Sequence, residues 1–216
     1  MDLCIDIETA AHPDAAQYLP PATPRKGTKD PDKQAAQIEE KEAALLAGAA
    51  LDPDLCRIVC LGWDDGISGA SLTCRDEGEE RAALVSFWTI WTNRLEGIAP
   101  RIVGYNVKAF DIPILFRRSL ALGVRPSLTT SATHRYRMDI VVDLLEVLSG
   151  GNPAHWRSLG FYLKRYGLAP EDPISGAQIP DLVEAGDWDA IRAHNAADLS
   201  ATIALAKWAG EWRGAV

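Results

Sequence analysis

Two carboxylates stand one residue apart near the start of the chain, in the run Asp2-Leu-Cys-Ile-Asp-Ile-Glu8. Leu3, Ile5 and Ile7 alternate with Cys4, Asp6 and Glu8, which is the period of a β-strand. Asp6 and Glu8 therefore project from one face, about 7 Å apart. Acids on an apolar strand carry a desolvation cost that water or a cation must relieve, so the pair alone fits a wet strand face as well as a metal site. Asp111 lies in Val103-Gly-Tyr-Asn-Val-Lys-Ala-Phe-Asp-Ile-Pro-Ile-Leu115, at the expected start of a helix, where the helix dipole also favours an ordinary first-turn acid. Asp198 follows His194 by four residues, which puts both on one face of a helix. That spacing fits a surface pair, and it fits an imidazole with a pKa near 6.5 serving as a base beside an acid. Taken together, isolated acids on rigid elements are what phosphodiester hydrolysis demands. Two divalent cations about 3.5–4 Å apart activate water and stabilise the leaving oxygen, and magnesium requires hard oxygen ligands.

The elements that must position these residues follow from the pattern. Arg57 to Trp63 reads as a second strand and Gly69 to Cys74 as a third, joined in a hairpin by Asp64-Asp65-Gly66. Glu79 to Leu95 carries Leu84, Phe87, Trp88, Trp91 and Leu95 at helical spacing, and the tryptophans read as core rather than as base-stacking groups. Arg101 to Gly104 is a short fourth strand, and Phe110 to Leu122 is a helix closed by Gly123. Ile140 to Leu148 and Trp156 to Tyr166 read as two further helices, with Asp139 and Asp143 as caps or supporting acids. Asp187 caps a last helix running to Trp212. His12 to Pro31 has no apolar period and reads as an extended loop; Gln34 to Ala50 is rich in Ala and Glu and reads as helical. The expected fold class is α/β, a mixed β-sheet flanked by helices, in one domain over 1–216 with an inserted loop-helix segment at about 10–55 after the first strand.

Bulk properties are consistent with that outline. The 216 residues hold 47% hydrophobic side chains, enough for a sizeable core, and no apolar run is long enough to span a membrane. With strand-like sequence beginning almost at Met1, no signal peptide is visible and a cytoplasmic location is expected. Cys4, Cys56, Cys60 and Cys74 lack the second close pair that a zinc site needs and read as buried free thiols. The net charge of −8 argues against a passive nucleic-acid binder but suits a carboxylate site whose cations screen phosphate. Lys108, Arg117, Arg118, Arg125, His134, Arg135 and Arg137 are the basic groups expected near a strand. Lys26, Lys29 and Lys33 in the insertion are candidates for clamping DNA or meeting a partner protein.

The motifs resemble those of the DEDD family of 3′–5′ exonucleases, especially stand-alone phage and prophage relatives of the proofreading domain of family B DNA polymerases. Asp6-Ile-Glu8 matches Asp-x-Glu, Asn106 to Asp111 matches Asn-x-x-x-Phe-Asp, and the stretch around Asp198 matches the third motif, all in the family's order. The resemblance implies a ribonuclease-H-like fold and hydrolysis of DNA, single-stranded by preference, from the 3′ end to nucleoside monophosphates. It implies two Mg²⁺ or Mn²⁺ ions held by Asp6, Glu8, Asp111 and Asp198, with His194 serving the attacking water. It also makes Thr9, Asn106, Phe110 and Lys108 candidate substrate contacts, Phe110 being as readily a packing residue. One departure stands out: His194 has the spacing of the subclass that carries tyrosine there. One residue is about 100° of helix rotation, so the imidazole is expected where the tyrosine hydroxyl would sit. An exoribonuclease of the same family, a non-cleaving binding module and a resolvase-like endonuclease are the competing readings.

Overall fold

The computed structural model describes residues 2–94, 101–128, 130–134, 137–168 and 172–213. Leu95 and Arg135, named above, lie outside them. Five strands form one mixed sheet: β1 (Leu3–Ala11), β2 (Cys56–Asp64), β3 (Gly69–Thr73), β4 (Ile102–Gly104) and β5 (Val141–Asp143), in the order β3-β2-β1-β4-β5. β1 to β3 run antiparallel, whereas β4 and β5 pair parallel to β1 and to each other. Parallel neighbours need a crossover. The helix α2 (Glu77–Arg94) precedes β4, and α3 (Asp111–Ala121) lies between β4 and β5.

The central strand β1 is buried on both faces, and its alternation sorts two chemistries. Leu3, Ile5 and Ile7 join Leu61, Trp63, Phe87, Trp91, Ile112 and Leu115 in the main apolar cluster. On the opposite face Cys4 packs on Leu199 and Ile203 of the long helix α7 (Trp188–Trp208), so Asp6 and Glu8 face α7. Trp88 and Trp91 are core residues, and the Trp88 indole donates to Ser119 at 2.8 Å. All four cysteines are free and buried.

Several expectations are corrected. The run expected as a helix from Ile140 to Leu148 is strand β5 followed by the short helix α4 (Leu144–Ser149). The β-branched pair Val141-Val142 is fully buried beside β4, and so short an apolar run has no period of its own to separate strand from helix. The helix expected from Trp156 begins at Leu159 (α5, Leu159–Tyr166), capped by Ser158. The last helix ends at Trp208, and Trp212 folds back against the sheet-facing side of α7. β1 extends to Ala11, two residues into the expected insertion, and α1 (Pro31–Ala49) starts where Asp30 accepts from Asp32 and Lys33 backbone N–H groups. A short helix α6 (Ile179–Ala185) precedes α7. Among the described residues, no helix is long and apolar enough to cross a membrane.

Candidate active site

The first motif sits mid-strand, where Asp6 lies opposite Gly62 and Glu8 opposite Cys60 of β2. The register slips between Glu8 and Thr9, a bulge of the kind that re-aims side chains next to functional sites. The second motif is a turn built around one unusual backbone. Asn106 has φ +60°, the one positive φ at a non-glycine among the described residues, and asparagine tolerates this conformation better than most side chains. Asp143, the cap of α4, fixes the same turn. Its Oδ1 accepts from Asn106 N at 2.9 Å and its Oδ2 from Lys108 N at 3.0 Å. Gly104 allows the chain to fold back, since a Cβ there would stand 2.6 Å from Val107 Cβ. The turn delivers Asp111 to the first residue of α3, buried, with Oδ1 accepting from Ile7 N at 3.1 Å. That bond ties the second motif to the backbone of the first.

The third motif rides on α7. His194 and Asp198 share a face with Glu8 opposite: one donor atom from each of the three lies within 4.8 Å of the others. His194 Nε2 is 3.6 Å from Glu8 Oε1, and its Nδ1 is 2.9 Å from Asp172 Oδ2. Asp172 thus orients the imidazole from behind, as a carboxylate partner does for a working histidine. Asn195 reaches Asp6 from the same helix, donating to its Oδ2 at 2.8 Å and its carbonyl at 3.1 Å. A Cβ at Gly62 would stand 2.0 Å from Asn195 Oδ1 and 2.7 Å from Leu199 Cδ1, so Gly62 is the clearance that lets α7 approach β1.

Four carboxylates from three distant segments therefore meet, and their charges act on one another. Burial, then the charge of Asp198, pushes Asp6 up to about 8, while hydrogen bonds from Glu8 and Asn195 pull it down. Burial and then Asp6 hold Glu8 well above the ordinary carboxylate range. Asp111 is likewise raised by burial and by Asp6, and Asp198 by burial against a lowering pull from His194. Burial and crowding of like charge raise a carboxylate by penalising its ionised form, a penalty that a hard divalent cation among these oxygens would relieve. The donors fit such a group: all are carboxylate oxygens, and among the described residues none of the four carboxylates is ion-paired to Lys or Arg.

Other expected contacts are taken up internally. The Thr9 hydroxyl donates to Ala50 O at 2.6 Å, pinning β1 to the end of α1. Lys108, expected beside a strand phosphate, is buried with its ammonium on Glu146 Oε2 at 2.7 Å. Asn106 is the turn residue, and Phe110 packs against the main core. Arg118 is buried on Glu80, Arg117 pairs with Asp54 and Arg137 with Asp139. The basic face expected there is thus largely neutralised by its own acids. Asp172, Asn195 and Gly62 were not singled out in the sequence. Asn195 sits beside His194 and three residues before Asp198, a position that pattern alone does not distinguish from any buried polar residue.

A family described as predicted 3′–5′ exonucleases related to the exonuclease domain of PolB matches residues 55–206. The chain belongs to that family. The match includes Asp111, His194 and Asp198; Asp6 and Glu8 precede it. Among solved structures, the family B DNA polymerase of the hyperthermophilic archaeon Pyrobaculum calidifontis superposes with a TM-score of 0.61 at 18% identity, over 95% of this chain and 24% of the polymerase. A structure of exonuclease I described as suggesting how processivity is achieved gives 0.43 at 17% identity, over 98% of this chain and 41% of that one. The chain spans about a quarter of the polymerase. No curated protein sequence matches it. The family is one of predicted 3′–5′ exonucleases, and the superposition on the polymerase shows a shared fold.

Proposed function

We propose that the protein removes nucleotides one at a time from the 3′ end of single-stranded DNA, with two Mg²⁺ or Mn²⁺ ions as cofactors. The observation that carries this is the convergence of Asp6, Glu8, Asp111 and Asp198, each raised by burial, with Asp6, Glu8 and Asp111 raised further by neighbouring carboxylates. These four would hold the ions, which when bound supply Lewis-acid stabilisation of the charge that develops at the scissile phosphate. The chain's own groups do the rest. His194, oriented by Asp172, takes the proton of the attacking water at Nε2, the nitrogen that faces Glu8. Asn195 keeps Asp6 aimed at the cluster through two hydrogen bonds. Ile7 N–H and the Asp143-braced turn do the same for Asp111.

A cleft of about 590 Å³ opens beside His194 and Asp198, lined also by Ser158, Lys164, Asp172 and Ser175. It gives a terminal nucleotide room next to the cluster. The test is digestion of 5′-labelled single-stranded DNA and RNA oligonucleotides with Mn²⁺. The reading expects a ladder shortening from the 3′ end, faster on DNA, and no ladder with Asp6→Ala. Internal cuts in a circular substrate, or an intact oligonucleotide with wild type, contradict it.

A further inference from the structure

From Val147 to Pro170 the chain contains no acid, although the whole carries −8, and this stretch holds Arg157, Lys164 and Arg165 among four aromatic residues. In the structure α5 turns that composition outward. Trp156, Phe161, Tyr166 and Trp208 are each between 43% and 47% exposed, more than large aromatic side chains ordinarily are. The rings of Phe161, Tyr166 and Trp208 form a connected series through Tyr162. Tyr166 stacks on Trp208 of α7 at 4.4 Å and on the buried Tyr162 at 6.3 Å, and Tyr162 meets Phe161 edge-on at 5.4 Å. Arg157 lies over Phe161 and Arg165 over Tyr166. Among the described residues, Arg157, Lys164, Arg165 and Lys207 have no acidic partner, in contrast to Lys108, Arg117, Arg118 and Arg137. Leu163 and the exposed Lys164 of the same helix also line the cleft that reaches His194 and Asp198, so the cleft opens beside this face.

We infer that this outer face of α5 with the end of α7 is the track along which a single-stranded polynucleotide is held while its 3′ end enters the cleft. Unpaired bases offer flat faces to exposed rings, and the flanking cations meet the phosphates between them. A duplex keeps its bases stacked on each other and has none to offer these rings. The inference rests on the exonuclease reading for the direction in which the strand runs.

The experiment measures anisotropy of labelled dT20, rU20 and a blunt DNA duplex with the full chain in EDTA, and Mn²⁺-dependent hydrolysis of the p-nitrophenyl ester of thymidine 5′-phosphate. F161A combined with Y166A is expected to weaken single-strand binding at least tenfold and leave duplex binding and ester hydrolysis unchanged. K164Q combined with R165Q is expected to lower the salt slope on dT20 by about 1.4. The dT20 and rU20 arms show which polymer the track prefers. Unchanged single-strand affinity in both variants, an equal loss on the duplex, or a wild type that binds no oligonucleotide overturns the track. If the wild type cleaves DNA from the 3′ end while the variants bind normally, the track fails and the exonuclease stands. If the variants lose single-strand binding while the wild type cleaves nothing, the track stands and the exonuclease fails.

Discussion

Without a cation, the carboxylate cluster should make the protein less stable as pH rises, and Asp6 sets the size of the effect. Burial and Asp198 raise it from the ordinary 3.8 to about 8, and a raised acid binds its proton more tightly folded than unfolded. Its penalty is therefore absent below about pH 4, grows as pH rises, and is complete above about pH 8. Standing alone, the rise corresponds to a loss on the order of 5 kcal/mol. That is comparable to the net stability of a whole domain. Part of this charge is shared with Glu8 and Asp198, so about 3–5 kcal/mol is expected, or roughly 10 °C at this chain length. Thermal unfolding followed by circular dichroism in EDTA at pH 5, 6, 7, 8 and 8.5 reads it directly. Asp6→Asn, which cannot ionise, should flatten the curve, and Mn²⁺ should raise the wild-type Tm more at pH 8 than at pH 5, because cation uptake displaces protons. A wild-type Tm in EDTA that stays level or climbs from pH 5 to 8.5 would refute the reasoning.

Further outcomes follow from the same geometry. Gly62→Ala places a methyl on Asn195 Oδ1 and should cut kcat about 10–100-fold by displacing Asp6, the size expected when a ligand's supporting bond is lost; activity within twofold of wild type removes the role given to Asn195. His194→Ala should lower kcat by about 10²–10⁴, and Asp172→Asn by about tenfold to a hundredfold, with KM for a short substrate little changed; an Asp172→Asn enzyme of full activity separates Asp172 from the reaction. Asp143→Ala leaves the Asn106 and Lys108 N–H groups without their acceptor and should cost about 2–3 kcal/mol, seen as a Tm lower by roughly 4–10 °C at this chain length. An unchanged Tm there shows the turn holding itself.

How far the sequence could be read depended on whether a residue's role is local. Asp6 and Glu8 were legible because strict alternation on β1 fixes which face they take, and Asp111 because a helix start follows a glycine-ended strand. The pairing of His194 with Asp198 followed from helix geometry alone. Asn195 and Asp172 were not legible: one matters because Gly62 lies across from it, the other because a loop 22 residues away returns to the imidazole. Strand β5 escaped for a related reason, as two valines before a capping aspartate carry no period, and only pairing with β4 makes them a strand. Which basic groups are already paired is not legible from charge alone, because the partners come from other elements. Lys108 and Arg118 are spent on Glu146 and Glu80, while Arg157, Lys164 and Arg165 of the α5 region face solvent.

Crystals grown with Mn²⁺ and measured at the manganese edge test the four-carboxylate site most directly. Anomalous peaks are predicted within about 2.2 Å of carboxylate oxygens of Asp6 and Glu8, with Asp111 and Asp198 completing the ligand set, and these peaks should vanish in Asp6→Ala. Strong manganese density elsewhere on the chain and none among these four acids would contradict the account.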